Sequence, residues 1–158
     1  MSIFERKKLR EKRNISKSTN AVLFGYNRIG FGILTSLKKI RENFLVVDFN
    51  PDTISDLKKL GVPCVYGDVD DDGLLEDLPL KNLKIVISTI PELETNELII
   101  KKIKFKNPKA IVIVRAHSIE DAMQLYKEGA NYVLTPHFLG GEYLAEMIRE
   151  IKTDADGY

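Results

Sequence analysis

Beyond residue 20 the chain alternates between short apolar runs and stretches of helical spacing. The runs are Ala21–Phe24, Phe44–Val47, Val62–Tyr66, Ile85–Ile87, Ala110–Val114 and Tyr132–Leu134. They are continuous rather than alternating, as strands buried on both faces are. Between them, Ile29, Ile33, Leu37 and Ile40 form one helical stripe, Ile54, Leu57 and Leu60 a second, and Ile119, Ala122, Met123 and Tyr126 a third. Pro51 and Asp52 open the second helix and Gly61 closes it; Ser118 precedes the Ile119 helix and Gly129 ends it. Parallel neighbours need crossovers, and crossovers put helices on both faces. The pattern predicts a doubly wound parallel α/β sheet of six strands.

The last predicted helix carries its apolar residues in adjacent pairs, Tyr143 with Leu144 and Met147 with Ile148, and Ile151 lies beyond. That is more apolar surface than one sheet contact requires. It predicts either a wide stripe facing the core or a helix shared with a second copy of the chain.

A length of 158 residues suits one compact domain, large enough to hold a core without disulfides or metal. With 44% hydrophobic and 30% charged residues, the composition excludes collagenous, mucin-like and wholly disordered classes. No apolar run approaches the roughly 18 residues of a membrane span, and no apolar stretch follows the basic N-terminus as a signal peptide requires. The one cysteine, Cys64, is expected to be a packing residue in a reducing compartment. The net charge of +1 is unevenly spread. Residues 1–17 carry seven basic side chains against two acidic ones, +5, which leaves −4 for the rest. An acidic body argues against nucleic acid as the partner. Residues 1–20 are expected to be a basic linker or tail, 21–151 the ordered unit, and 152–158 a frayed C-terminus.

The chemistry concentrates where strands end. The first strand runs into Gly25-Tyr26-Asn27-Arg28-Ile29-Gly30 and then a helix. This is the spacing of a dinucleotide fingerprint, with Asn27 in place of the second glycine. Gly25 permits the tight turn, and Gly30 lets the helix lie close to the sheet. The helix N-terminus offers unpaired N–H groups to a phosphate. Asn27 puts a side chain where backbone normally approaches the pyrophosphate, although Asn tolerates a left-handed conformation and donates hydrogen bonds. Arg28 can add a charge-assisted phosphate contact.

The second strand ends at Asp48, 23 residues after Gly25 and followed by Phe49 and Asn50. A carboxylate there can accept both hydroxyls of an adenosine ribose and repels a 2′-phosphate, which favours AMP, ADP, ATP or NAD(H) over NADP. Its alternative role is an N-cap for the helix at Pro51. Gly67 lets the loop at Asp68 and Val69 pass close to an adenine edge. The acids Asp68, Asp70, Asp71 and Asp72 are read as a solvated helix start rather than a cation site. Thr89 and Ile90 are expected to wall the ligand, and Arg115 to reach a phosphate or a partner subunit. His117 and His137 have no orienting acid placed beside them, so no catalytic role is assigned.

The chain resembles the regulator of potassium conductance domain, also called the RCK, TrkA-N or KTN domain, over about Asn20 to Ile151. The resemblance rests on Gly25 to Gly30, Val46-Val47-Asp48, Val65-Tyr66-Gly67-Asp68, Ile87-Ser88-Thr89, Val114-Arg115-Ala116 and Gly129-Ala130-Asn131-Tyr132-Val133-Leu134-Thr135-Pro136. It implies a Rossmann-like fold and a non-catalytic regulatory domain on the cytoplasmic side of a potassium or other cation channel or transporter. The implied ligand is an adenine nucleotide (AMP, ADP, ATP, NAD or NADH), at Gly25, Asn27, Arg28, Gly30, Asp48, Asp68 and Thr89. The implied partners are a membrane-embedded cation channel or transporter and a second copy, as a homodimer or higher ring through the final helix. The basic head would then be a linker from a membrane pore. The alternatives are the cofactor half of a small NAD-dependent oxidoreductase, which the residues left over cannot complete with a substrate domain, and a dimeric adaptor without ligand.

Overall fold

The computed structural model describes residues 2–4, 14–26, 29–40, 42–71 and 73–156. Six strands form one parallel sheet: β1 (Ala21–Phe24), β2 (Phe44–Asp48), β3 (Cys64–Tyr66), β4 (Ile85–Ser88), β5 (Ile111–Arg115) and β6 (Tyr132–Leu134), in the spatial order β3-β2-β1-β4-β5-β6. The helices are α1 (Gly30–Lys39), α2 (Pro51–Lys59), α3 (Leu93–Lys106), α4 (Ile119–Glu128) and α5 (Pro136–Asp156), with a 3-10 turn at Leu80–Asn82. This is the Rossmann-like α/β arrangement that the apolar runs predict.

Alternate residues of each strand serve opposite faces. Val22, Phe24, Leu45, Val47, Val86, Val112 and Val114 join one core with Ile99, Ile100 and Ile103 of α3 and Leu125 of α4. Ala21, Leu23 and Val46 join the other with Leu34 and Leu37 of α1 and Leu57 of α2. The chain thus winds outward from β1 to β3 on one face, crosses the sheet, and winds outward from β4 to β6 on the other. Strand order reverses between β1 and β4, where open α/β sheets form a crevice at their carboxyl ends.

Several ends differ from the sequence pattern for local reasons. The third strand begins at Cys64 rather than Val62, because the N–H of Val62 closes α2 on Leu57 O at 3.0 Å and Pro63 has none to give. The segment expected to be a tail is packed at its end: Thr19 is buried, Ile15 rests on the core, and Asn82 Nδ2 donates to Lys17 O at 3.0 Å. The basic cluster from Arg6 to Arg13 lies outside the described residues. At the other end, α5 continues to Asp156, past the last apolar position at Ile151.

The stretch from Gly129 to Pro136 builds the last strand and the root of α5. Gly129 ends α4 at φ +116°, where a side chain would be strained. Asn131 N donates to Val112 O at 2.9 Å and Asn131 Oδ1 accepts Val112 N–H at 2.8 Å, so a side chain extends the ladder by one rung. Lys104 Nζ reaches the same Oδ1 at 2.7 Å and Ala110 O at 2.6 Å, and the desolvation of that site lowers its pKa.

α5 does not face its own core. Tyr143 is 71% exposed and Ile151 67%, and Leu144, Met147 and Ile148 are exposed with them. The sheet face bearing α1 and α2 has a corresponding opening. An apolar groove of about 410 Å³ runs along Ile29, Ile33, Leu37 and Ile40 to Ile85 and Ile87 of β4. No helix among the described residues is long and apolar enough to cross a membrane.

Candidate functional site

A cleft of about 220 Å³ opens at the carboxyl ends of the strands. Gly25, Asp48, Phe49, Gly67, Asp68, Val69 and Ile90 line it, all of them expected from the sequence. Four further residues line it that the sequence reading did not assign to a ligand: Val47, Asp70, Glu92 and Thr95. Glu92 and Thr95 stand three residues apart at the start of α3, so one helical turn presents both to the same side. The available signal was a helix beginning directly after a strand end at the ligand edge.

Asp48 is turned into the cleft and held there. Its Oδ2 accepts the Tyr26 N–H at 2.9 Å and its Oδ1 accepts the Asn50 N–H at 2.8 Å. One carboxylate thereby ties the turn after β1 to the end of β2. It does not cap α2. That role falls to Asn50, whose Oδ1 accepts from Asp52 N at 2.9 Å and Thr53 N at 3.4 Å, so the Asn50 side chain serves the helix rather than the cleft.

The turn itself needs glycine at its start. Gly25 has φ +84°, and a Cβ there would lie 2.5 Å from Thr89 Oγ1. Thr89 is buried at 1% exposure and does not wall the cleft; its hydroxyl donates to Gly25 O at 2.8 Å. Gly30 is tight against the turn rather than the sheet, since a Cβ there would meet the Tyr26 ring at 3.0 Å and Gly25 O at 3.5 Å. Among the described residues no side chain caps α1, and its first turn holds no acid, which leaves that end favourable to an anion. Ile29 lines the apolar groove instead of the cleft. Asn27 and Arg28, the departure from the fingerprint and the expected phosphate contact, lie outside the described residues.

On the other flank, Arg115 points back at the sheet: its Nη1 donates to Thr89 O at 3.4 Å. Asn96, fully buried on α3, donates through Nδ2 to Ile90 O at 2.8 Å and Arg115 O at 2.9 Å. Thr89, Arg115 and Asn96 thus fix the loop after β4 without lining the cleft. Asp68 Oδ1 accepts Asp70 N–H at 3.0 Å, and the Thr95 hydroxyl donates to Asp70 Oδ2 at 3.2 Å. Among the described residues no group of three or more acids, histidines or cysteines is arranged for a metal ion. Among the described residues, four carboxylates and no cation line the cleft. Such a surface accepts the hydroxyl and amino donors of a sugar and base, and it turns phosphate away toward the glycine turn and α1. His117 and His137 lie outside it.

The TrkA-N domain profile matches residues 21–136. Potassium channel protein 1 of Methanocaldococcus jannaschii is 25% identical over 128 residues, 80% of this chain and 38% of that protein. The glutathione-regulated potassium-efflux system protein KefC of Escherichia coli is 27% identical over 108 residues, 68% of this chain and 17% of that one. The chain therefore spans less than half the length of these relatives. In fold it is similar to the TrkA-N domain of the Escherichia coli inner membrane protein YbaL (TM-score 0.76, 24% identity, 84% of this chain and 98% of that one). It is also similar to a Shewanella denitrificans Kef C-terminal domain solved in an AMP-bound form (TM-score 0.70, 19% identity, 84% and 80%). A third fold neighbour is the GsuK channel bound to NAD (TM-score 0.64, 20% identity, 85% and 25%). The match spans every strand of the sheet, and the chain belongs to the TrkA-N domain family.

Proposed function

We propose that the chain is a non-catalytic regulatory domain that senses an adenine nucleotide and passes its state to a membrane-embedded potassium or other cation channel or transporter. The observation that carries this reading is the placement of Asp48. Its carboxylate closes β2, faces the cleft, and is pinned to the glycine turn where a ribose and phosphate would meet. AMP, ADP, ATP and NAD(H) suit the site; NADP does not, because a 2′-phosphate would face that carboxylate. The AMP-bound and NAD-bound fold neighbours support the ligand class, and the channel and efflux-system relatives support the partner. The domain would sit in the cytoplasm at the inner face of the membrane.

The exposed apolar face of α5 and the uncovered groove beside Ile33 and Ile85 support a homodimer, or a larger ring, in which α5 of one copy covers the groove of the next. Nucleotide would shift the balance between arrangements of that assembly by its difference in affinity for them. Calorimetric titration with AMP, ADP, ATP, NAD and NADH tests the reading. Saturable binding of at least one, lost on substitution of Asp48, is expected. No heat and no thermal shift with any of the five overturns it.

A further inference from the structure

The chain contains two histidines, His117 and His137. The fold brings them together: their ring centroids are 5.0 Å apart and the rings stand at 81°. His117 follows the end of β5, between Ala116 and Ser118, the N-cap of α4. His137 is the second residue of α5. Neither contributes to the core or to the nucleotide cleft, and both are exposed.

We propose that the two imidazoles form a site for a borderline-soft divalent cation of the zinc, copper or nickel type. Two Zn–N bonds of about 2.0–2.1 Å at a tetrahedral angle put the ring centroids roughly 5 Å apart, which is the separation found. Imidazole suits these ions, whereas calcium and magnesium demand oxygen ligands. Both residues are exposed, so a dissolved ion can reach the pair. No third ligating side chain joins them among the described residues, so water completes the coordination. A metal held there would fasten the loop after β5 to the first turn of α5 and set the angle at which α5 leaves the domain. The inference is independent of the nucleotide reading.

Titration of the untagged, chelator-treated chain with zinc chloride in a non-coordinating buffer tests it. One saturable zinc per chain is expected, weakened at least tenfold by His117→Gln and equally by His137→Gln. In the unsubstituted chain, ring-proton NMR gives a second readout that does not depend on the variants folding: both histidine signals should move together with added zinc. Absence of saturation, movement of one signal alone, or binding that survives either substitution overturns the proposal and leaves the pair an edge-to-face contact.

Discussion

The hydroxyl of Thr89 donates to the carbonyl of Gly25 at 2.8 Å and so fastens the end of β4 to the turn after β1. The two residues meet across the point where strand order reverses, and the fit leaves no room for a methyl group. Gly25→Ala would combine a left-handed backbone with a contact at 2.5 Å. Strain of this kind costs about 1–3 kcal/mol. A lowered melting temperature together with weakened nucleotide binding is the expected result; a variant that melts and binds as the parent does would show that the turn adapts.

Asp48→Asn separates charge from shape. The two oxygens of Asp48 each face a backbone donor, and an amide can accept only one of them while its NH₂ group confronts the other. A stability loss of about 1–3 kcal/mol follows from disturbing hydrogen bonds to a charged group. Nucleotide affinity should fall at least tenfold. Denaturant titration and calorimetry measure the two effects separately, and unaltered affinity would remove the ribose contact from the proposed function.

Asn96→Ala probes the loop that carries Ile90. The substitution leaves the carbonyls of Ile90 and Arg115 without their donor and opens space in a fully buried position. A loss of about 2–4 kcal/mol is expected. Asn96→Asp should be no milder, since it buries a carboxylate against two carbonyl oxygens.

Much of this arrangement is legible in the sequence. The central strands declare themselves as unbroken apolar runs because β1 and the middle of β2 are buried on both faces, and Asp48 is recognisable as the acid that closes the second run. Thr89 is different: its burial depends on the Gly25 turn lying over the end of β4, a relationship between segments 64 residues apart that no local pattern encodes. The inward turn of Glu92 and Thr95 likewise depends on how α3 enters across the sheet. Asn50 rather than Asp48 caps α2: both are good caps, and only backbone geometry decides which side chain faces the helix amides. The paired apolar residues of α5 suit a core stripe and a shared helix equally in sequence, and only the tertiary fold leaves them exposed.

Leu144→Asp, alone or with Ile148→Asp, tests the role of α5. Both side chains are exposed, so the fold should persist unchanged by circular dichroism. Sedimentation analysis should show the parent as a dimer or larger assembly and the variants as monomers. A monomeric parent would leave the apolar groove without its proposed occupant.

Cys64 supplies a pH-dependent readout. Burial pushes its thiol pKa up, against the opposing charge of Lys58. The folded protein should react with iodoacetamide more slowly than free cysteine at the same pH, and unfolding should restore the rate. The unfolded chain ionises first, so this group's contribution to stability declines as pH rises past the ordinary thiol pKa. Cys64→Ala removes that alkaline decline, which urea titrations at several pH values will reveal.

The open groove beside β4 has a wider meaning if a neighbouring copy supplies its cover. Folding and association would then be one equilibrium, and the melting point would climb with the number of molecules present. Abundance would act as a second signal beside the small-molecule ligand: a scarce chain would be both loosely folded and silent, and a plentiful one would be stable and ready to respond.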